Sequence, residues 1–109
     1  MIWTVEFLPE AMADLKTLDH SLQIHVLKGI KKVSQNPLPV SQGGYGKPLG
    51  NRENNNLSNL LKIKFRDIGI RVVYKVEINH TIMKIIIISA RADNQVYKQA
   101  GVRRNKHHL

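Results

Sequence analysis

The chain contains no cysteine. That absence excludes a disulfide framework, a thiol nucleophile and any cysteine-bound zinc site. Acidic residues are few: 8 Asp and Glu stand against 17 Lys and Arg in 109 residues, a formal net charge of +9. No long apolar run occurs. The longest, Ile85 to Ile88, is far short of the ~20 residues that a membrane-spanning helix requires. The opening MIWTVEFLPE lacks the basic segment and apolar stretch of a signal peptide. Together these features predict a soluble, cytoplasmic protein with no membrane partner. The histidines His20, His25, His80, His107 and His108 are scattered apart from the last pair, which argues against a metal site. No cofactor is expected.

What is present is positive charge, and its placement says more than its total. The cations gather in Leu60–Val76 and in the C-terminal set Lys98, Arg103, Arg104 and Lys106. A basic surface on so small a domain suits a polyanion. No amphipathic helix concentrates the charge, so nucleic acid fits better than a membrane surface.

The pattern along the chain predicts one α+β domain over residues 1–109. Ile2–Phe7 alternates apolar and polar residues as a short strand does. Pro9 opens a helix carrying Met12, Leu15 and Leu18, and Ser21 is placed to cap a second with Val26, Leu27, Ile30 and Val33 on one stripe. Gly29 weakens this second helix, and Asn36-Pro37 ends it. Pro37–Ser58 is a long loop rich in Pro, Gly, Asn and Ser. Its Gly44, Gly46 and Gly50 are spaced one residue too widely for a dinucleotide fingerprint, and Ser41 and Pro48 stand where a Walker loop needs Gly and Ser or Thr. Two strands follow with Gly69 in the turn, then an almost wholly apolar strand after Asn79-His80, and a short helix capped by Asp93 or Asn94 with Val96, Tyr97 and Ala100 inside. The expected architecture is an N-terminal strand and a helical hairpin packed on an antiparallel sheet, with a short C-terminal helix and a basic tail, 103–109.

The hairpin LLKIKFRDIGIRVVYKV carries the strongest functional signal. With period two, Lys62, Lys64 and Arg66 share a face with Arg71 and Lys75, while Leu61, Ile63, Phe65, Ile70, Val72, Tyr74 and Val76 occupy the other. A two-residue turn at Ile68-Gly69 would set Arg66 opposite Arg71 and Lys62 opposite Lys75. Like charges facing each other on a sheet are destabilising unless an anion lies between them or the side chains splay into solvent, and the sequence leaves both open. The same cations are what RNA cleavage requires. A base must take the 2′-hydroxyl proton, positive charge must stabilise the phosphorane, and the 5′-oxygen must be neutralised as it leaves. Clustered cations ease the loss of a proton from a lysine. Tyr97 can stack a base beside them, or be a core residue of its helix.

NLLKIKFRDIGIRVVYKV followed by SARADNQVYKQA resembles the RelE branch of the RelE/ParE toxin superfamily of bacterial toxin–antitoxin systems. The matching positions are Lys62, Lys64, Arg66, Gly69, Arg71, Tyr74, Arg91, Val96, Tyr97 and Ala100, and the order of elements agrees along nearly the whole chain. The resemblance implies an mRNA interferase, cutting translated messages in the ribosomal A site by 2′-hydroxyl attack without a metal. It implies Lys64 as general base, Lys62 as transition-state stabiliser, Arg71 on the phosphate, Arg91 at the leaving group and Tyr97 stacked on the base. Arg66, Lys75, Arg103 and Arg104 are expected to contact mRNA or ribosomal RNA. A RelB-like or other small helical antitoxin is the implied partner, through which the complex would reach operator DNA. The rival readings are a ParE-like inhibitor of DNA gyrase with the same fold, and a non-catalytic RNA-binding module. Regular pleating would send Arg91 to the apolar face, so the last strand is expected to end or bulge before it.

Overall fold

A computed structural model describes residues 3–49 and 57–109, so Ile2 of the expected first strand and residues 50–56 of the expected loop lie outside the described residues. The elements are β1 (Thr4–Phe7), α1 (Pro9–Lys16), α2 (His20–Val33), β2 (Lys47–Pro48), β3 (Leu60–Phe65), β4 (Ile70–Glu77), β5 (Ile82–Ser89) and α3 (Asp93–Lys106). They form one five-stranded sheet in the order β1-β5-β4-β3-β2 with helices on both faces. The N-terminal strand joins the sheet itself as the parallel neighbour of β5, which makes the sheet mixed. A parallel partner needs a long crossover, and α1 and α2 begin the chain segment that provides it. Placed between β1 and β4 and covered on both faces, β5 has four consecutive buried isoleucines, Ile85 to Ile88.

Helix α1 starts on Pro9, whose missing N–H is no loss in a first turn. Helix α2 starts two residues earlier than expected. Asp19 is its N-cap residue and makes no side-chain capping bond, and Ser21 lies inside the first turn. Val26, Ile30 and Val33 are buried as the periodicity predicts, whereas Leu27 is 41% exposed. Gly29 has a packing role. A Cβ there would lie 2.3 Å from the Phe65 ring, so glycine lets α2 approach β3 closely.

The β3–β4 register differs from the expected one by two residues. Phe65 pairs with Ile70, Lys64 with Arg71, Lys62 with Val73 and Leu60 with Lys75. The loop is therefore Arg66–Gly69, with Gly69 at φ +67, and Arg66 sits exposed in the turn rather than opposite Arg71. A one-residue slip inverts the faces of a strand, but a two-residue slip preserves them. Hence the apolar and cationic faces are as read, although the partners are not.

Part of the expected loop is ordered on the sheet. Lys47 and Pro48 pair with Lys62 and Leu61 as β2. The Tyr74 hydroxyl, fully buried, donates to Pro37 O at 2.8 Å, and burial raises its pKa. A Cβ on Gly46 would lie 2.5 Å from that hydroxyl. The glycine thus makes room for a buried tyrosine.

Helix α3 is longer than expected and runs through Gly101 to Lys106, so the basic tail is largely the last turn of a helix. Cations suit that end of the helix dipole. Val96, Tyr97 and Ala100 are buried, and α3 packs on β4 and β5. It lies across the middle of the cationic face, over buried Val73 and Ile87, rather than beside an open cleft. Its anchor is Arg103, which grips Asp14 of α1 with two nitrogens at 2.6 and 3.2 Å. Beyond Ile85, β5 has no further pairing to β1, and this ion pair serves its bare edge. Asp14 accepts from Ile88 N at 3.1 Å and Arg103 donates to Ile86 O at 3.0 Å.

Candidate functional site

The site is built where the cationic ends of β3 and β4 meet the start of α3. Lys64 and Arg71 are direct cross-strand partners with side chains 28% and 20% exposed. Between them lies an anion, Asp93, the first residue of α3. Lys64 Nζ bonds one of its oxygens at 3.1 Å and Arg71 Nε bonds the other. Partial burial alone would raise the Asp93 pKa, but the hydrogen bonds and charges of Lys64 and Arg71 outweigh it and lower the value. Asp93 was expected only as a helix cap. The N-cap residue is Ala92, without a side-chain bond, and the Asp93 carboxylate turns to the sheet instead.

A bulge in β5 precedes Arg91. Near the β4–β5 turn the strands pair as Glu77 with Ile82 and Lys75 with Lys84; from Val73 onward the register shifts, pairing Val73 with Ile87 and Arg71 with Ser89. The extra residue in β5 reverses its alternation, so Ser89 shares the face of Arg71, and the strand ends there. The strand thus both bulges and ends before Arg91, the two alternatives that the sequence left open. The Arg91 carbonyl accepts from Arg71 Nη1 at 3.0 Å, and its backbone N–H donates to Ser89 Oγ at 3.1 Å. Its side chain helps line a cleft of about 560 Å³ with Ser89, Gln95, Lys98, Gln99 and Arg103.

Lys62 stands two residues before Lys64 on the same face, its Nζ 5.5 Å from the centroid of the Tyr97 ring. Tyr97 is 1% exposed. In this conformation its ring is a platform for Lys62 within the core and is not presented for stacking on a base, which corrects the exposed role the resemblance implied.

The remaining cations are dispersed. Lys75 lies four residues along β4 from Arg71, roughly 13 Å away; it faces Lys84 and donates to Leu109 O, while Lys84 pairs with Glu6 at 2.6 Å. Arg103 is held in the Asp14 pair with a side chain only 13% exposed, so its placement makes it a structural tie rather than a surface contact. Arg104 donates to Ser58 O. The structure thus gathers Lys64 and Arg71 around Asp93, sets Lys62 on the same face against Tyr97, and ties Arg91 to Arg71 through its backbone while its side chain lines a separate cleft with Arg103; Arg66, Lys75 and Arg104 lie elsewhere. A larger cavity of about 670 Å³ lies at the other end of the sheet, beside Lys75, Asn79 and His80, and holds none of the Lys64–Arg71–Asp93 cluster. Among the described residues no group of three His, Asp or Glu could hold a metal ion, and no helix is long and apolar enough to cross a membrane.

The chain and its fold have counterparts among known proteins. No family model matches the chain. A curated Escherichia coli protein named as a RelE-like toxin is 28% identical over 103 residues, covering 94% of this chain and 98% of that protein. The RelBE2 toxin–antitoxin complex from Mycobacterium tuberculosis contains a chain that is 26% identical, with a TM-score of 0.65 over 84% of this chain and all of that one. A doubly substituted E. coli RelE toxin in the free state shares the fold, with a TM-score of 0.71 at 20% identity over 94% of this chain and 98% of that one.

Proposed function

Since this chain belongs to the RelE/ParE toxin superfamily, we propose that it is the toxin of a type II toxin–antitoxin pair and an endoribonuclease acting on mRNA in the ribosomal A site. The observation that carries this reading is the pairing of Lys64 with Arg71, with Lys62 on the same face and the Arg91 backbone carbonyl bonded to Arg71. The 2′-oxygen attacks the adjacent phosphorus as the Lys64 amine takes the hydroxyl proton. The P–O5′ bond then breaks, giving a 2′,3′-cyclic phosphate and a 5′-hydroxyl. Lys62 and Arg71 supply positive charge to the phosphorane, where fixed charges act most strongly. Arg91 neutralises the departing 5′-oxygen, whose proton comes from water, because a guanidinium is a poor acid. The reaction draws on cations and proton transfer alone.

A site of this kind holds and polarises a phosphate but has no strong base or acid. It therefore depends on the 2′-hydroxyl being already in line, an alignment worth ~7–11 kcal/mol that the ribosome can impose on an A-site codon. The natural inhibitor is an antitoxin of the kind seen in the RelBE2 complex. Expression of the chain alone should arrest growth, with primer extension showing cuts inside translated messages. Growth arrest with intact mRNA and accumulating DNA breaks would instead support gyrase inhibition. Tight RNA binding without any cleavage would support the non-catalytic module.

A further inference from the structure

Asp93 occupies the place that the proposed chemistry needs for its substrate. A carboxylate spreads one negative charge over two oxygens, and so does a phosphodiester over its two non-bridging oxygens. Lys64 and Arg71 each hold a different Asp93 oxygen, as two cations would hold a phosphate. The aim of the guanidinium does not depend on Asp93 alone, because Arg71 Nη1 is also bonded to Arg91 O at 3.0 Å. The cations therefore have a fixed receptor geometry with a resident anion in it. In a chain with 17 basic and 8 acidic residues, that anion is set between the two cations expected to do the chemistry.

We infer that Asp93 is a built-in counter-anion that RNA must displace, so that the Lys64–Arg71 site is closed at rest by the start of α3 and opens by exchange of carboxylate for phosphate. The inference rests on the proposed role of that pair and adds a control to it. A purely structural role competes with it. An acidic residue in the first turn of a helix is stabilising in its own right, so Asp93→Asn costs stability on either account. Losing one carboxylate adds a positive charge and favours anions slightly on any account, but only the exchange account predicts a gain that depends on Arg71.

The probes are inorganic phosphate and a short oligodeoxynucleotide, which lacks the 2′-hydroxyl and cannot be cut. Asp93→Asn should bind both about five- to tenfold more tightly than the wild type, the scale expected from releasing two partly exposed ion pairs. The gain should vanish when Arg71→Ala is added. In the unaltered chain, saturation with the oligodeoxynucleotide should move the Asp93 side-chain carboxyl ¹³C resonance toward that of a free carboxylate. That second measurement decides the question alone if Asp93→Asn does not fold. Equal affinities in the folded variant, or an unmoved Asp93 resonance at saturation, would overturn the inference. The nuclease reading is separable: tighter binding without mRNA cleavage leaves the exchange site standing, and cleavage without tighter binding removes the gate and keeps the nuclease.

Discussion

Tyr97 is a core residue that lies directly under one cation of the proposed site. The spacing from Arg91 to Tyr97 was legible in the sequence, as was the proximity of an aromatic ring to cations; its burial was not, because periodicity cannot tell which face of α3 meets the sheet. Enclosed at 1% exposure beneath Lys62, the ring is a packing element first. Tyr97→Ala should destabilise the fold by ~3–5 kcal/mol, the usual result of truncating a buried aromatic, and should lower activity through that loss. Tyr97→Phe keeps the ring under the Lys62 ammonium and should retain most activity; chemical denaturation alongside a cleavage assay checks both. Arg71→Ala should have the opposite profile. Its side chain is partly exposed and its principal partner, Asp93, can turn toward Lys64. Stability should therefore change by ~1 kcal/mol or less while cleavage is lost, which the same two measurements reveal.

Elements explain most of what the sequence did and did not disclose. The alternation in β3 and β4 identified their faces correctly because parity survives a two-residue slip. It could not choose between a two-residue and a four-residue turn, since both keep Phe65 and Ile70 on the buried side. The β5 bulge was detectable only as a conflict over where Arg91 must point. Asp93 and Asp14 were overlooked as partners because their cations lie 22 or more positions away, beyond any local pattern. Gly29 is a sharper case. Helix propensity alone says that Gly29→Ala should stabilise α2 by ~1 kcal/mol. Contact with Phe65 says that it should destabilise by ~1–3 kcal/mol, and that Phe65→Leu should relieve the clash; thermal melts of the two single variants and the pair distinguish these outcomes. The clasp between α1 and the end of α3 gives a pH dependence. Hydrogen bonds from His107 first, and also from Lys106, lower the Glu10 pKa to about 2. The clasp is fully stabilising above the ordinary value of 4.5 and is lost as pH falls toward 2. Melting temperatures across that interval should fall more steeply in the wild type than in Glu10→Gln.

On the scale of the whole molecule, α3 ties the fold together and meets the proposed site. It closes one face of the sheet with Val96, Tyr97 and Ala100, ties to α1 through Arg103, and delivers Asp93 to the cationic pair. If RNA is the partner, as proposed, a net charge of +9 makes that association salt-dependent, and apparent affinity should fall steeply as ionic strength rises. Charge alone, however, does not distinguish a nuclease from a binder. The most direct test is to give the purified chain one short mRNA, free in solution and in a translating complex with a defined codon in the A site. A folded Arg71→Ala variant runs beside it. The account predicts cutting within the A-site codon of the translating complex, little or none of the free RNA, and none by the variant in either. Equal cutting of free and ribosome-bound mRNA, or undiminished cutting by Arg71→Ala, would contradict it.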